Sequence, residues 1–366
     1  MTTDLNRLAA GLFVVGFPGT TADDDVKRLI DDGVAGVILF KRNVGTLEQT
    51  LGLVQSLKAH AGRLLLAAVD QEGGRVARLR GAPFTALPPM RTLGKTRDAA
   101  LLERVGRLLA METRAAGFDW DYAPVLDVDT NPANPVIGDR ALHQDAAEVA
   151  RLGVALAKGM EAGGVASCAK HFPGHGDTLK DSHLDLPSLP HAMERLEAVE
   201  LVPFKAYAQA NLASVMTAHV VFDALDSRVP ATMSRKVMTG LLREQLGFKG
   251  VIVSDDLEMK AVADHFPIER AVVEGLDAGV DCFLVCHHAD VQRRAIASIV
   301  SAVQSGRLSE AQLRAAHQRV ASMTRRFARG ADSRAPVLGS AEHRALAAGL
   351  DAEAFVGRDP TEVLHA

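Results

Sequence analysis

Tryptophan occurs once and tyrosine twice in these 366 residues, so the chain has few aromatic faces of the kind on which a long polysaccharide cleft stacks successive sugars. Cysteine is almost as scarce. Cys168, Cys282 and Cys286 are an odd number, sit in apolar segments and show no CxxC spacing; they read as buried thiols in a reducing compartment, not as a disulfide framework. An excess of positive charge is missing too. With 41 Lys and Arg against 45 Asp and Glu, the formal net charge is -4, which leaves no basic footprint for nucleic acid or an anionic membrane surface, and both are discounted as partners. No apolar run is long enough to span a bilayer. The one signal-like stretch, Leu8 to Phe17, follows Arg7 but also Asp4 and ends without a small-residue cleavage site. It runs into Pro18-Gly19, two threonines and three aspartates, which read as strand, turn and helix start. The expected location is cytoplasmic.

What is present is a regular alternation. Short runs rich in Val, Ile and Leu recur at Leu12 to Phe17, Val34 to Phe40, Leu64 to Val69, Tyr122 to Val128, Val165 to Ala169, Ala213 to Ala218, Val251 to Ser254 and Val280 to Cys286. Segments of helical periodicity lie between most of them, among them Ala99 to Ala116, Ala147 to Ala162, Met193 to Ala208, Ala261 to Ala278 and Val291 to Val303. Strands apolar on both faces belong to a parallel sheet covered by helices. Eight βα repeats without an internal boundary point to an α/β fold, a single (β/α)8 TIM-type barrel, more than to an open doubly wound sheet. Polar residues stand at or just after the run ends: Asp70, Asp127, Lys170-His171, His219 and Asp255-Asp256. Barrel enzymes carry their chemistry at that end. The connection from Asp70 to Trp120, with Pro83, Pro88 and Pro89, predicts an insertion at the rim of the site. Ser309 and Gln312 have the form of a capping box opening a last helix over Glu310 to Arg326. The barrel is expected over residues 1–330, with 331–366 as a C-terminal tail that packs on the barrel or is partly loose.

The densest polar cluster runs from Lys170 to Asp185, KHFPGHGDTLKDSHLD. Its glycines and proline make it a loop. His171, His175, His183 and His219 could be read as metal ligands, but no HxH or HExxH spacing sets a first shell, so no metal and no cofactor are expected. The competing reading makes His183 a general acid/base whose other ring N–H is accepted by Asp181, fixing the tautomer and raising the imidazole's proton affinity. Lys170 at a buried strand end would be costly without a partner, which favours a site role. His175 reads as structural.

At Val251 to Asp256 a buried strand ends in two adjacent carboxylates. Neighbours on a strand point to opposite sides, so one would face the barrel axis and the other would cap the following helix. Regular alternation puts Asp255 on the same side as Val253, but periodicity does not say which side is inward. On these grounds an aspartate here is equally a nucleophile and a helix cap.

These segments together resemble the family 3 glycoside hydrolases, specifically the β-N-acetylglucosaminidase branch that acts in bacterial peptidoglycan recycling. KHFPGHG followed by DSH, SDD at a strand end, Val69 to Val76 (VDQEGGRV) and Gly138-Asp139-Arg140 match in order and spacing, and the likeness extends over about residues 8 to 330. The resemblance implies that Asp255 is the nucleophile forming a glycosyl-enzyme intermediate, His183 the proton donor and acceptor, and Asp181 its partner. It further implies that Asp70, Arg78, Arg140, Lys170 and His171 hold the sugar hydroxyls and acetamido group. The implied reaction is retaining, exo-acting removal of terminal β-1,4-linked N-acetylglucosamine from 1,6-anhydro-muropeptides, and scarce aromatics agree with an exo mode. The partner is thus a small carbohydrate. Three alternatives stand beside it: a phosphorylase using the same residues, a metal-dependent barrel hydrolase, and a non-catalytic sugar-binding module.

Overall fold

Eight parallel strands form the core of the computed structural model, which describes residues 2–178, 186–331, 338–350 and 359–361. They are β1 (Phe13–Val15), β2 (Gly36–Ile38), β3 (Leu66–Val69), β4 (Trp120–Asp121), β5 (Cys168–Phe172), β6 (Ser214–Thr217), β7 (Val251–Asp256) and β8 (Cys282–Val285). Each strand pairs with its sequence neighbour, and β1 pairs with β8 through Val14 opposite Leu284. Isolated parallel bridges, Trp120 to Ala166 and Val125 to Lys170, link β4 to β5 and bring the ring to closure. The expected (β/α)8 barrel is therefore the fold. The fourth run behaves differently from its expectation: paired strand is confined to Trp120–Asp121, ahead of Val125. Pro124 supplies the reason, since it has no N–H to give a ladder, although its carbonyl still accepts from the Lys170 amide at 3.1 Å.

A helix follows every strand: α1 (Asp24–Asp32), α2 (Leu47–Ala61), α3 (Ala99–Ala115), α4 (Ala146–Ala162), α5 (Leu201–Gln209), α6 (Lys236–Gln245, wound as a π-helix), α7 (Ile268–Ala278) and α8 (Ala289–Gln304). Their starts are written in the sequence. Asp23, Asp98 and Asp145 each accept backbone N–H bonds in the first turn of α1, α3 and α4, and Thr46 and Gln49 form a reciprocal box at α2. Ser309 and Gln312 do the same for a further helix, Glu310–Phe327.

Strand alternation divides the core into two layers. Val14, Ile38, Ala68, Cys168, Met216, Val253 and Leu284 meet inside the barrel with Trp120 and Tyr122. Their chain neighbours Val15, Val37, Val69, Ala169, Val215, Ile252 and Phe283 face the helices. This parity carries functional weight, because it fixes which residues at the strand ends continue inward.

Candidate active site

Counting forward by two from the inward residues reaches polar ones at the C-terminal ends: Asp70 from Ala68, Lys170 from Cys168, and Asp255 from Val253. All three line one cleft, together with Arg140, His171, His175 and Asp256. Asp256 also reaches this cleft, which overturns the expectation that only one of the two carboxylates could face the axis. The β7–β8 register shifts by one residue between Val253 and Asp256, and such a bulge breaks strict alternation. Asp256 also accepts from the Glu258 amide at 3.1 Å and has His287 Nε2 at 3.2 Å, while Asp255 accepts from the Asp256 amide at 2.8 Å. Behind them His219 donates from Nε2 to the Asp256 carbonyl at 3.1 Å and accepts at Nδ1 from the Thr232 hydroxyl at 2.8 Å. Burial lowers its pKa against the pull of Asp255 and Asp256, which suits this neutral tautomer.

The cations are held by Asp70 and by one carboxylate that sequence reasoning did not assign, Glu72. Lys170 Nζ lies 2.8 Å from Asp70 and 2.7 Å from Glu72. Glu72 also takes Arg140 in a fork, Nε to Oε2 at 2.9 Å and Nη2 to Oε1 at 2.8 Å. All of these side chains are buried. Burial disfavours the Glu72 charge, yet Arg140 and Lys170 overcome that and hold its pKa well below the usual carboxylate range. For Lys170, burial is likewise outweighed by Asp70 and Glu72, which raise its pKa. Glu72 sits within the VDQEGGRV motif, and the signal that singles it out is a demand for counter-charge: a buried Lys and a buried Arg need more than Asp70 alone.

Asp127 organises the loop after β5. It accepts from the His171 amide at 3.1 Å, from His171 Nδ1 at 2.7 Å and from the His175 amide at 2.7 Å. Burial would raise its pKa, but His171 and then His175 bring the net shift downward. With Nδ1 so occupied, the other edge of the His171 ring is oriented by the protein rather than by solvent. His175 sits in the cleft wall, its Nδ1 2.7 Å from Thr178 Oγ1. Gly176 is required by closeness: a Cβ there would stand 1.8 Å from the Val128 carbonyl oxygen.

The insertion after β3 forms a rim, as expected. Its hairpin, Gln71–Gly73 with Val76–Ala77, is tied by the Gln71 side chain, which accepts from the amides of Arg78 and Leu79 at 2.8 and 2.9 Å. Arg75 pairs with Asp139 at 2.9 Å and joins the hairpin to the turn that carries Arg140. Arg78 approaches Asp70 at 3.5 Å. Five of the sequence-named residues, Asp70, Arg140, Lys170, His171 and Asp255, thus line one cleft, and Arg78 stands beside Asp70. Asp181 and His183 lie outside the described residues. Among the described residues no group of three or more His, Cys, Asp or Glu is placed to hold a metal ion, and no helix is long and apolar enough to cross a membrane.

Comparison with known proteins gives a consistent picture. The family model described as Glycosyl hydrolase family 3 N terminal domain matches residues 6–323. A protein named Beta-hexosaminidase from Thiobacillus denitrificans is 42% identical over 299 residues, 80% of this chain and 82% of that one. Its namesake from Neisseria meningitidis serogroup C is 44% identical over 276 residues, 74% and 76% of the two chains. Among solved structures, a glycoside hydrolase family 3 β-N-acetylglucosaminidase from Paenibacillus sp. superposes with a TM-score of 0.89 at 39% identity, covering 94% of this chain and 68% of that one. NagZ from Neisseria gonorrhoeae, in complex with N-trifluoroacetyl-D-glucosamine, gives 0.77 at 35% identity, with 92% and 96% covered.

Proposed function

This chain belongs to glycosyl hydrolase family 3, and from that premise we propose that its cleft releases terminal β-1,4-linked N-acetylglucosamine from peptidoglycan fragments in the cytoplasm, with retention of configuration. The chain is a β-N-acetylhexosaminidase; the substrate, the location and the residue roles are our reading. Asp255 attacks the anomeric carbon while the bond to the leaving oxygen breaks and His183, oriented by Asp181, gives that oxygen its proton. Water then attacks the same carbon, the bond to Asp255 breaks, and His183 takes the proton back. An imidazole with an ordinary pKa of about 6.5 needs less tuning for both steps near neutral pH than a carboxyl group would.

The single observation that carries this reading is parity: Asp255 shares the inward side of β7 with Val253 and lines the cleft that Lys170, Arg140 and His171 also line. The paired ions around the cleft favour a neutral, hydroxyl-rich ligand, since each charged hydrogen bond left unmade by a wrong sugar costs discrimination. The balance of charge supports hydrolysis over phosphorolysis. Asp70, Glu72, Asp127, Asp255 and Asp256 outnumber the cations Lys170, Arg140 and Arg78 around the site, a poor setting for an incoming phosphate and a neutral one for water.

The test uses 4-nitrophenyl N-acetyl-β-D-glucosaminide. Asp255→Ala and His183→Ala are each expected to lose about 10²-fold or more in kcat, and azide should rescue Asp255→Ala by forming the α-glycosyl azide as 4-nitrophenolate leaves. A rate within ten-fold of the parent in either variant, or a rescued product of β configuration, would refute these roles. Phosphate that accelerated turnover and yielded a sugar 1-phosphate would replace hydrolysis with phosphorolysis.

A further inference from the structure

Arg78 is buried on the rim insertion, and most of its polar contacts come from residues nearly three hundred positions away. Its Nη1 donates to Asp359 Oδ2 at 2.5 Å and its Nη2 to Thr361 Oγ1 at 2.6 Å, whereas Asp70 is only a distant third partner at 3.5 Å. Asp70 is moreover already shared with Lys170. Without Asp359 the Arg78 charge would be left in a buried position with weak compensation, a costly arrangement. The approach of this segment is prepared upstream: His343 Nδ1 lies 3.2 Å from Glu112, which also accepts from the Thr85 amide and hydroxyl at 2.7 and 2.6 Å, and Leu350 is buried in the outer core layer. Thr85 belongs to the same insertion as Arg78.

Two roles would fit a segment lying on a substrate-binding arginine: a plug that the sugar displaces, or a wall that the sugar meets. The geometry separates them. Both carboxylate oxygens of Asp359 are engaged, Oδ2 by Arg78 and Oδ1 by the amide and hydroxyl of Thr361 at 2.9 and 2.6 Å. Asp359 does not line the cleft; Thr361 does. Because the Thr361 hydroxyl donates to Asp359 and accepts from Arg78, one lone pair remains to accept from a ligand hydroxyl. Burial would raise the Asp359 pKa, but Arg78 and the Thr361 bonds lower it, so the anchor is a carboxylate at neutral pH.

We propose that residues 359–361 form a wall of the sugar site, with Asp359 as a positioning residue that fixes Arg78 and Thr361 as a specificity-determining residue that accepts a hydrogen bond from a substrate hydroxyl. The proposal rests on Arg78 belonging to the sugar site. It predicts that Asp359→Asn and Thr361→Val in the full chain raise KM for the 4-nitrophenyl substrate about ten-fold with kcat within about two-fold, and that Thr361→Ser restores the parent KM. Asp359→Asn should add nothing further on an Arg78→Ala background, because a positioning residue acts only through its partner. An unchanged KM in both variants, or additive effects of Asp359→Asn and Arg78→Ala, would overturn the wall. A lowered KM would overturn it in favour of the plug. If Arg78→Ala alone leaves KM unchanged, the sugar-site reading of Arg78 fails first; if it raises KM while Asp359→Asn and Thr361→Val do not, only the wall fails.

Discussion

Replacing Glu72 by Gln tests whether one unassigned carboxylate organises the cationic half of the cleft. Glu72 accepts from Lys170 at 2.7 Å and from two nitrogens of Arg140 at 2.8 and 2.9 Å, and both partners are buried. Gln keeps the shape but offers a single acceptor oxygen, and its amide would turn N–H donors toward a cation. Breaking a buried pair by neutralising one member costs about 3–5 kcal/mol, because the remaining charge is left uncompensated. Lys170 retains Asp70, so the lower half of that range is expected. Unfolding entropy of about 2.1 cal/mol/K per residue gives roughly 0.8 kcal/mol/K for 366 residues, and about 3–4 kcal/mol then lowers the melting midpoint by about 4–5 °C. The functional loss should be larger. Lys170 and Arg140 share Glu72 as their anchor, and misplacing positioning groups by about 1 Å costs up to about 10²-fold in rate. Differential scanning calorimetry and steady-state kinetics on the 4-nitrophenyl substrate read the two effects separately. Glu72→Asp keeps the charge but shortens the reach, so it should recover stability better than kcat/KM. A Glu72→Gln protein melting within about 1 °C of the parent with kcat/KM within two-fold would refute the reasoning.

Asp127→Asn leaves one of three converging donors, the His171 amide, His171 Nδ1 or the His175 amide, facing an NH2 group; a loss of about 2–3 kcal/mol in urea unfolding is expected, with a raised KM. Gly176→Ala drives a Cβ to within 1.8 Å of the Val128 carbonyl oxygen, so the loop must shift and kcat/KM should fall at least about ten-fold; parent-like kinetics would show that the loop gives way freely. Acidification relieves the buried Asp119, Asp121 and Asp281, whose pKa values burial raises, but it acts against Glu72 and Asp127, whose folded-state pKa values lie below their ordinary ones. Such groups contribute fully above their unfolded pKa values of about 4–4.5, and that contribution is lost as pH falls through the folded values. The gap in urea midpoint between the parent and Glu72→Gln, measured from pH 7 to pH 3, should therefore narrow below about pH 4.5. A gap that stays constant over that range would contradict the Glu72 shift.

How much of this was legible in the sequence follows from what each feature depends on. The eight repeats were readable because strands covered on both faces must be apolar throughout, and the helix starts because Asp and Ser/Thr caps act over three residues. The fourth strand was misplaced because an apolar run was weighed above Pro124, which withholds a ladder donor in the middle of it. Asp70, Lys170 and Asp255 were found by their position at run ends. Glu72 escaped although it stands two residues after Asp70, because its role is visible only once Arg140 and Lys170, about seventy and about a hundred residues later, are seen converging on it.

The two strand-end carboxylates show where local periodicity stops being a guide. Alternation correctly tied Asp255 to Val253, and the inner core layer supplies the missing direction. Alternation failed one residue later, since the shift in register between β7 and β8 brings Asp256 to the same cleft. A bulge depends on the neighbouring strand, so no pattern within Val251 to Asp256 announces it. The same consideration applies to Arg78: the resemblance implied a sugar ligand, and most of its side-chain partners come from residues 359–361. Strand parity therefore serves for choosing which residue reaches the cleft, and the electrostatic balance of that residue has to be read from contacts between distant segments.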